Sequence, residues 1–301
     1  MKDLELKQNL PLSTKIRYTE SRIKKWYESF NGDVYVSFSG GKDSTVLLDI
    51  CRKLYPNIEA VFCDTGLEFP EIREFVKSID NVTWIKPRHY SGKRKGEIFS
   101  FKKVLEEYGW PIVSKEQAKY IREVQNGTTE CNRNKRLYGK NGSRSGMISK
   151  KWQYLIDAPF KISEKCCDVM KKRPFHQYKR RTGKVPMVGT MAEDSTFRKQ
   201  SYLRYGCSIF KEGKEQSRPL MFWKEKDIWK YLKDNNVKYS KIYEMGYERT
   251  GCVFCLFGHH LDLQRGKNRI ELLKKTHPKL YDYCMNKLDM KNVLKYYPSN
   301  K

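Results

Sequence analysis

Apolar positions alternate between two periods along the first ninety residues. From about Lys15 to Phe30 they recur every three or four residues, with Ile16, Ile23, Trp26, Tyr27 and Phe30 on one stripe, which predicts a helix. Val34–Phe38 is a continuous apolar run of the buried-strand kind, and Thr45 to Leu54 returns to the helical period. Ile58 to Cys63 predicts a second strand, Glu71 to Ile79 a helix, and Val82 to Ile85 a third strand. Val185 to Gly189 reads as a further core strand. Trp223 to Leu232 reads as a helix with Ile228, Trp229 and Leu232 facing inward. Arg269–Lys275 and His277–Leu288 follow as helices divided at Pro278. Strands alternating with helices predict an α/β fold around a parallel sheet with right-handed crossovers. In such sheets ligands sit beyond the carboxyl ends of the strands.

The run Ser37-Phe38-Ser39-Gly40-Gly41-Lys42-Asp43-Ser44 lies at that position, between the first strand and the following helix. Gly40 and Gly41 let the backbone approach an anion closely, and the unpaired N–H groups at the helix start face it. Ser39 and Ser44 add hydroxyl donors, and Lys42 a mobile positive charge. The spacing is not the Gly-x4-Gly-Lys-Ser/Thr of a Walker loop. A polar turn without a ligand is the plain alternative.

Composition changes the picture next. The 301 residues hold 61 Lys and Arg against 35 Asp and Glu, a formal charge of +26, which suggests a polyanionic partner unless the chain is merely lysine-rich. Cys131 to Ile156 contains no acid but carries Arg133, Lys135, Arg136, Lys140, Arg144, Lys150 and Lys151; Lys171 to Lys184 is likewise acid-free. Tyr138, Trp152, Tyr154, Phe175 and Tyr178 are interleaved with these charges. Basic groups beside exposed aromatics suit a phosphate backbone with unpaired bases, whereas inward-facing aromatics would leave only a solvated loop. No apolar run approaches the roughly 20 residues of a membrane span. The N-terminus lacks a secretory stretch, so a cytoplasmic protein is expected, with its nine cysteines as thiols, metal ligands or catalysts.

Cys166 and Cys167 are adjacent, and Cys252 and Cys255 form a Cys-x-x-Cys in a glycine-rich turn. Four thiolates can hold an iron–sulfur cluster or a structural zinc ion. Adjacent cysteines suit a cubane, whose separate irons each take one sulfur. His259 and His260 keep zinc open, thioredoxin-like redox chemistry competes for the Cys-x-x-Cys, and four unrelated thiols would need no metal. Cys51 and Cys63 sit in apolar contexts and are expected in the core. Cys131, Cys207 and Cys284 are unassigned, the first two being candidates for reactive thiols.

These pieces resemble a known family. The Ser39 loop is similar to the SGGxDS loop of the PP-loop ATP pyrophosphatases, which split ATP into AMP and pyrophosphate. Asp64-Thr65-Gly66 with Pro70-Glu71, Gly189 to Arg198 (GTMAEDSTFR), and Ser217-Arg218-Pro219-Leu220 followed by Trp223, Asp227, Ile228 and Trp229 resemble elements of the phosphoadenylyl sulfate (PAPS) reductase family of that superfamily. The Cys-Cys and Cys-x-x-Cys resemble the 4Fe–4S ligand set of adenylyl sulfate reductases. The resemblance spans about residues 20 to 260. It implies a Rossmann-like, adenine nucleotide α-hydrolase-like core with a smaller C-terminal Cys-bearing helical part. The expected divisions are an N-terminal helical extension (1–30), a nucleotide-binding α/β domain (31–235) with a basic insertion at about 131–184, and a C-terminal segment (236–301). Ser39, Gly40, Gly41 and Ser44 would cradle pyrophosphate, with Lys42 beside them. Asp43 would hold Mg²⁺, Asp64 would lie near the adenosine or metal, and Arg198 and Arg218 near phosphates or sulfate. Cys166, Cys167, Cys252 and Cys255 would hold the cluster.

Two departures set the expected activity. The reductases carry a nucleophilic cysteine in a C-terminal Glu-Cys-Gly-x-His segment, whereas here Cys284 falls mid-helix and the sequence ends Tyr296-Tyr297-Pro298-Ser299-Asn300-Lys301. The loop also keeps its full Asp-Ser ending, which reductases usually lose. Both favour an ATP pyrophosphatase that adenylates a nucleic acid, DNA or tRNA, with a 4Fe–4S cluster supporting sulfur insertion. A sulfur donor such as a cysteine desulfurase would be a partner, and Cys131 or Cys207 could carry a persulfide. The alternatives are an authentic, thioredoxin-dependent sulfonucleotide reductase and a non-catalytic nucleic-acid-binding protein.

Overall fold

A computed structural model describes residues 2–90 and 92–297. Its strands are β1 (Val34–Phe38), β2 (Ala60–Cys63), β3 (Val82–Ile85), β4 (Ile112–Val113), β5 (Val185–Val188), β6 (Ser208–Ile209), β7 (Gln216–Ser217) and β8 (Leu256–Phe257). Six of them form one sheet in the order β3-β2-β1-β5-β7-β6, parallel except where β6 meets β7. In register, Val36 faces Ala60 on one side and Met187 on the other. β1 and β2 are buried almost throughout, as strands covered by helices on both faces must be. The chain steps outward from β1 through β2 to β3 and later returns to the other side of β1 with β5. That reversal places the topological switch between the carboxyl ends of β1 and β5, where open α/β sheets bind ligands.

The residues divide into two compact units. The first comprises 1–64, 68–86 and 174–250, and the second 65–67, 87–173 and 251–301. The first unit holds the six-stranded sheet. Its long helix Leu12–Ser29 buries Lys15, Thr19, Ile23 and Trp26, a stripe shifted from the apolar one expected through Ile16. Two polar residues lie on that face because each is satisfied. Lys15 pairs with Asp227 at 2.5 Å, and Thr19 Oγ1 accepts the Trp223 indole N–H at 2.9 Å. The helix expected over 223–232 begins later, at Glu225, and runs to Asp234.

The second unit is built from short helices. Lys115–Gln125 buries Ala118, Ile121 and Val124 at helical spacing, and Ser114 caps it by accepting the Gln117 N–H at 3.2 Å. The parallel pair β4 and β8 joins residues 112–113 to 256–257. Val253 N–H donates to the Leu67 carbonyl at 2.8 Å. These contacts make the Cys-x-x-Cys segment part of a unit that begins before residue 90, so the structural division is discontinuous where sequential blocks meeting near residue 235 were expected. The C-terminal helices are Arg269–Thr276, Pro278–Asp282 running on into the wider turn Tyr283–Lys287, and Met290–Lys295, the last unanticipated. Among the described residues, no helix is long and apolar enough to cross a membrane.

Candidate active site

The helix Lys42–Leu54 starts immediately after the glycine loop, with Gly41 as its N-cap residue. The loop is held by its own hydroxyls. Ser44 Oγ donates to the Gly41 carbonyl at 2.9 Å and accepts the Ser39 N–H at 3.2 Å, while Ser39 Oγ accepts the Gly41 N–H at 3.3 Å. Gly40 has φ +71°, and a Cβ there would lie 2.8–2.9 Å from methyl groups of Val76 and Ile72, so only glycine fits. Gly189, just past β5, lies against the start of the same helix; a Cβ there would sit 2.9 Å from the Asp43 carbonyl oxygen. The segment leaving β5 therefore lies against the backbone of the helix that follows the glycine loop.

The charges at this helix start are paired. Lys42 Nζ lies 3.2 Å from Asp43 Oδ1 and 3.3 Å from Glu225 Oε1. Burial alone would lower the Lys42 pKa, but Asp43, Tyr243 and Glu225 outweigh it and hold the ammonium above its ordinary value. Burial pushes the Asp43 carboxyl up despite Lys42, and Asp194 and Glu225 push the same way. Apart from Lys42, Asp43 Oδ1 is buried without a hydrogen-bond partner. The Lys42 backbone N–H donates to the Tyr243 hydroxyl at 2.8 Å, and Thr250 Oγ1 stands 3.5 Å from that hydroxyl. Sequence reasoning missed Tyr243, Thr250 and Glu225. They reach the loop from some two hundred positions away, and no local spacing marks them.

Asp64, at the end of β2, is buried and pairs with Arg73 at 3.0 Å and Lys86 at 3.8 Å. Arg198 is tied to Asp194 one helical turn back. Arg218 is buried and donates to Ser201 Oγ at 2.7 Å and the Gly206 carbonyl at 2.9 Å. Both guanidinium groups thus have protein partners in this structure.

The four cysteines of the sequence constellation come together in the second unit. Cys166, Cys167, Cys252 and Cys255 line one small pocket, with Leu67, Phe101 and Pro111 among its apolar walls. The Cys166 and Cys167 sulfurs are 4.0 Å apart. Of that pair, Cys167 is the thiol held below its ordinary value, by its contact with Cys166 and by the Lys115 and Lys171 ammoniums, and Cys166 is pushed up. Burial pushes Cys255 up to about 12. Among the described residues, no three His, Cys, Asp or Glu side chains converge as a single metal ion requires. Four thiols lining one apolar pocket, with no three converging on a point, fit a multi-iron cluster better than a single zinc ion.

The remaining thiols sort by exposure. Cys51 and Cys63 are buried in the first unit as expected, and Cys131 is exposed. Cys207 is buried and its thiol is raised by that burial, which removes it as a ready nucleophile. Cys284 is fully buried, its sulfur 3.1 Å from that of Met290, and burial pushes its pKa up to about 12. The basic stretches also need correction. Trp152 and Tyr178 are buried, Phe175 packs against the core formed by Tyr35, Val61 and Tyr178, and Tyr154 donates to the Tyr296 carbonyl. Only Tyr138, 78% exposed, offers a largely free ring among the five aromatics named there.

A parallel α/β sheet with a glycine loop at its switch point defines a nucleotide-binding fold of the PP-loop kind. Residues 33–145 and 115–256 match the phosphoadenosine phosphosulfate reductase domain, and the chain belongs to that family. An uncharacterized protein of Methanocaldococcus jannaschii is 26% identical over 267 residues, covering 87% of this chain and 50% of that protein. The chain spans about half the length of the first curated relatives it matches. An adenosine 5′-phosphosulfate reductase of Lysinibacillus sphaericus is 24% identical over 234 residues, 77% of this chain and 78% of that one. Among solved structures, a phosphoadenylyl-sulfate reductase from Candida auris in complex with phosphate is similar at a TM-score of 0.46 and 14% identity, over 78% of this chain and 87% of that one.

Proposed function

We propose that the chain binds ATP at the Ser39–Ser44 loop, releases pyrophosphate and adenylates a nucleic-acid acceptor, DNA or tRNA, with sulfur insertion supported by a 4Fe–4S cluster on Cys166, Cys167, Cys252 and Cys255. The observation that carries this reading is Asp43. A carboxylate at a phosphate cradle repels a bare anion, but it suits a polyphosphate accompanied by a divalent cation. Its Oδ1, buried and served only by Lys42, is the atom that would hold Mg²⁺. Bound there, the ion would supply charge neutralisation for departing pyrophosphate.

The chain's own groups do the rest. Backbone N–H groups at the start of the Lys42–Leu54 helix and the Ser39 and Ser44 hydroxyls orient the β- and γ-phosphates, and Lys42 balances their charge. An oxygen of the acceptor attacks the α-phosphorus, its bond to pyrophosphate breaks, and the negative charge leaves with that group. Tyr243 must yield the Lys42 N–H for a phosphate oxygen to take it. The four cysteines would hold the cluster, which when bound supplies iron for handling sulfur. A cysteine desulfurase would be a fitting sulfur donor, and the excess of 26 positive charges fits a polymeric rather than a small acceptor.

Sulfonucleotide reduction is the second reading, favoured by the name of the Lysinibacillus relative. The burial of Cys284 and Cys207 weighs against either as the nucleophile that reduction needs, and leaves that role to the exposed Cys131. Anaerobically purified protein incubated with ATP and Mg²⁺, with tRNA or DNA added in turn, decides between them. Pyrophosphate release stimulated by one polymer and abolished in Asp43→Asn is the expected result. Sulfite from adenylyl sulfate and thioredoxin, with no pyrophosphate release, would overturn the proposal.

A further inference from the structure

The helix Thr196–Tyr205 follows directly on the turn carrying Asp194, the carboxylate whose charge reaches Asp43. Its outward side is not the polar surface that a solvent-facing helix normally carries. Phe197 is 79% exposed, and Leu203 and Tyr205 are also exposed, while Tyr202 is the helix's one buried residue. Phe197, Gln200 and Arg204 succeed one another at spacings of three and four and so share one face. The Arg204 guanidinium lies 5.2 Å from the Tyr205 ring centre. Residues 195–214 carry five basic side chains against one acid. Arg198 is tied to Asp194, but Lys199 and Arg204 make no ion pair among the described residues.

An exposed phenyl ring beside the unpaired Arg204 on one helix face matches a particular chemistry. Unpaired bases stack on aromatic faces without regard to sequence, and their phosphates are met by Arg and Lys. A duplex offers no free ring faces, and an apolar protein patch would not call for the excess of charge.

We propose that this helix is the docking surface for the acceptor: a single-stranded nucleic-acid segment with one unpaired base stacked on Phe197 and a flanking phosphate on Arg204, which shares that face. The inference rests on the nucleic-acid reading above and adds the strandedness of the acceptor and the place it docks. Phe197 stands three residues from Asp194, so a base stacked there is held beside the turn next to the ATP loop.

The test is fluorescence anisotropy of labelled 20-nucleotide oligo(dT) and oligo(U), and of a DNA hairpin duplex, over a range of salt concentrations. Wild type, Phe197→Ala, Phe197→Tyr and Arg204→Ala are compared in the full chain. Loss of one stacked base weakens binding about 5- to 150-fold. Phe197→Ala is expected to show that loss with the salt slope unchanged, and Phe197→Tyr to restore binding. Arg204→Ala is expected to reduce the salt slope by about one. Wild-type affinity in Phe197→Ala, with wild type still binding single strands, overturns this surface and leaves the nucleic-acid reading standing. Failure of wild type to bind any of the probes overturns both. Equal affinity for the duplex, or a Phe197-dependent self-association in sedimentation, also overturns the proposal, the latter by marking the face as a protein interface.

Discussion

Replacing Gly189 by alanine tests whether contact between the end of β5 and the Lys42–Leu54 helix sets the position of the ATP loop. The added Cβ would lie 2.9 Å from the Asp43 carbonyl oxygen and 3.0 Å from Asp43 C and Ser44 Cα, where ordinary contact begins at 3.4 Å. All three are backbone atoms, so no side chain can swing aside, and the two segments must part by about 0.5 Å. Overpacking of this kind costs about 1–3 kcal/mol. A displacement of 1 Å at reacting groups costs on the order of 100-fold in rate, so half of that predicts a loss of about tenfold. The assay is polymer-stimulated pyrophosphate release, paired with ATP affinity by calorimetry and thermal unfolding. Gly183→Ala is the control. Gly183 has φ +74° with nothing within 4 Å of a Cβ, so its replacement strains the backbone by about 1–2 kcal/mol without touching the loop. Gly189→Ala should lose turnover and ATP affinity, and Gly183→Ala only stability. Wild-type turnover in Gly189→Ala, or an equal loss in both variants, would refute the reasoning.

Two further outcomes follow from burial. Cys284→Ala should leave pyrophosphate release and any sulfite production within twofold of wild type while lowering stability by about 1 kcal/mol; abolished sulfite production would restore Cys284 as a nucleophile. The His259 imidazole is held down to about 4 by burial and by the neighbouring Arg269 charge, against 6.5 in the unfolded chain. Between those values the unfolded chain takes up a proton that the folded one refuses, so this contribution is present above about pH 6.5 and fades as pH falls towards 4. Lowering the pH from 7 to 5 should cost roughly 2 kcal/mol from this group. Urea midpoints at the two pH values should therefore diverge more in wild type than in His259→Asn, and equal divergence would remove the ring as the cause.

What could be read from the sequence was whatever leaves a local trace. The runs Val34–Phe38 and Ala60–Cys63 announce strands buried on both faces, because a parallel sheet covered by helices permits few polar positions. The glycine loop was visible because Gly40 needs a positive φ and has methyl groups packed against it, a demand written in a single residue. The four cysteines could be grouped because thiols are rare and chemically distinct, even with 84 residues between Cys167 and Cys252. Contacts lacking such a trace were missed. Lys15 and Thr19 belong to the buried face of their helix only because Asp227 and Trp223 satisfy them from more than two hundred residues away. Tyr243 looked like one aromatic among twenty tyrosines until its hydroxyl was found on the Lys42 N–H. The discontinuous division rests on a two-residue ladder between β4 and β8, too short to impose any period on the sequence. The aromatics of the basic stretches failed as a guide for a related reason. Interleaving with lysine and arginine does not say which way a ring points, and Trp152 and Tyr178 point into the protein while Phe197, in an unremarked helix, does not. Where a ring has only cations for neighbours in sequence, its direction is decided by packing, and packing is a property of pairs that sequence separation conceals.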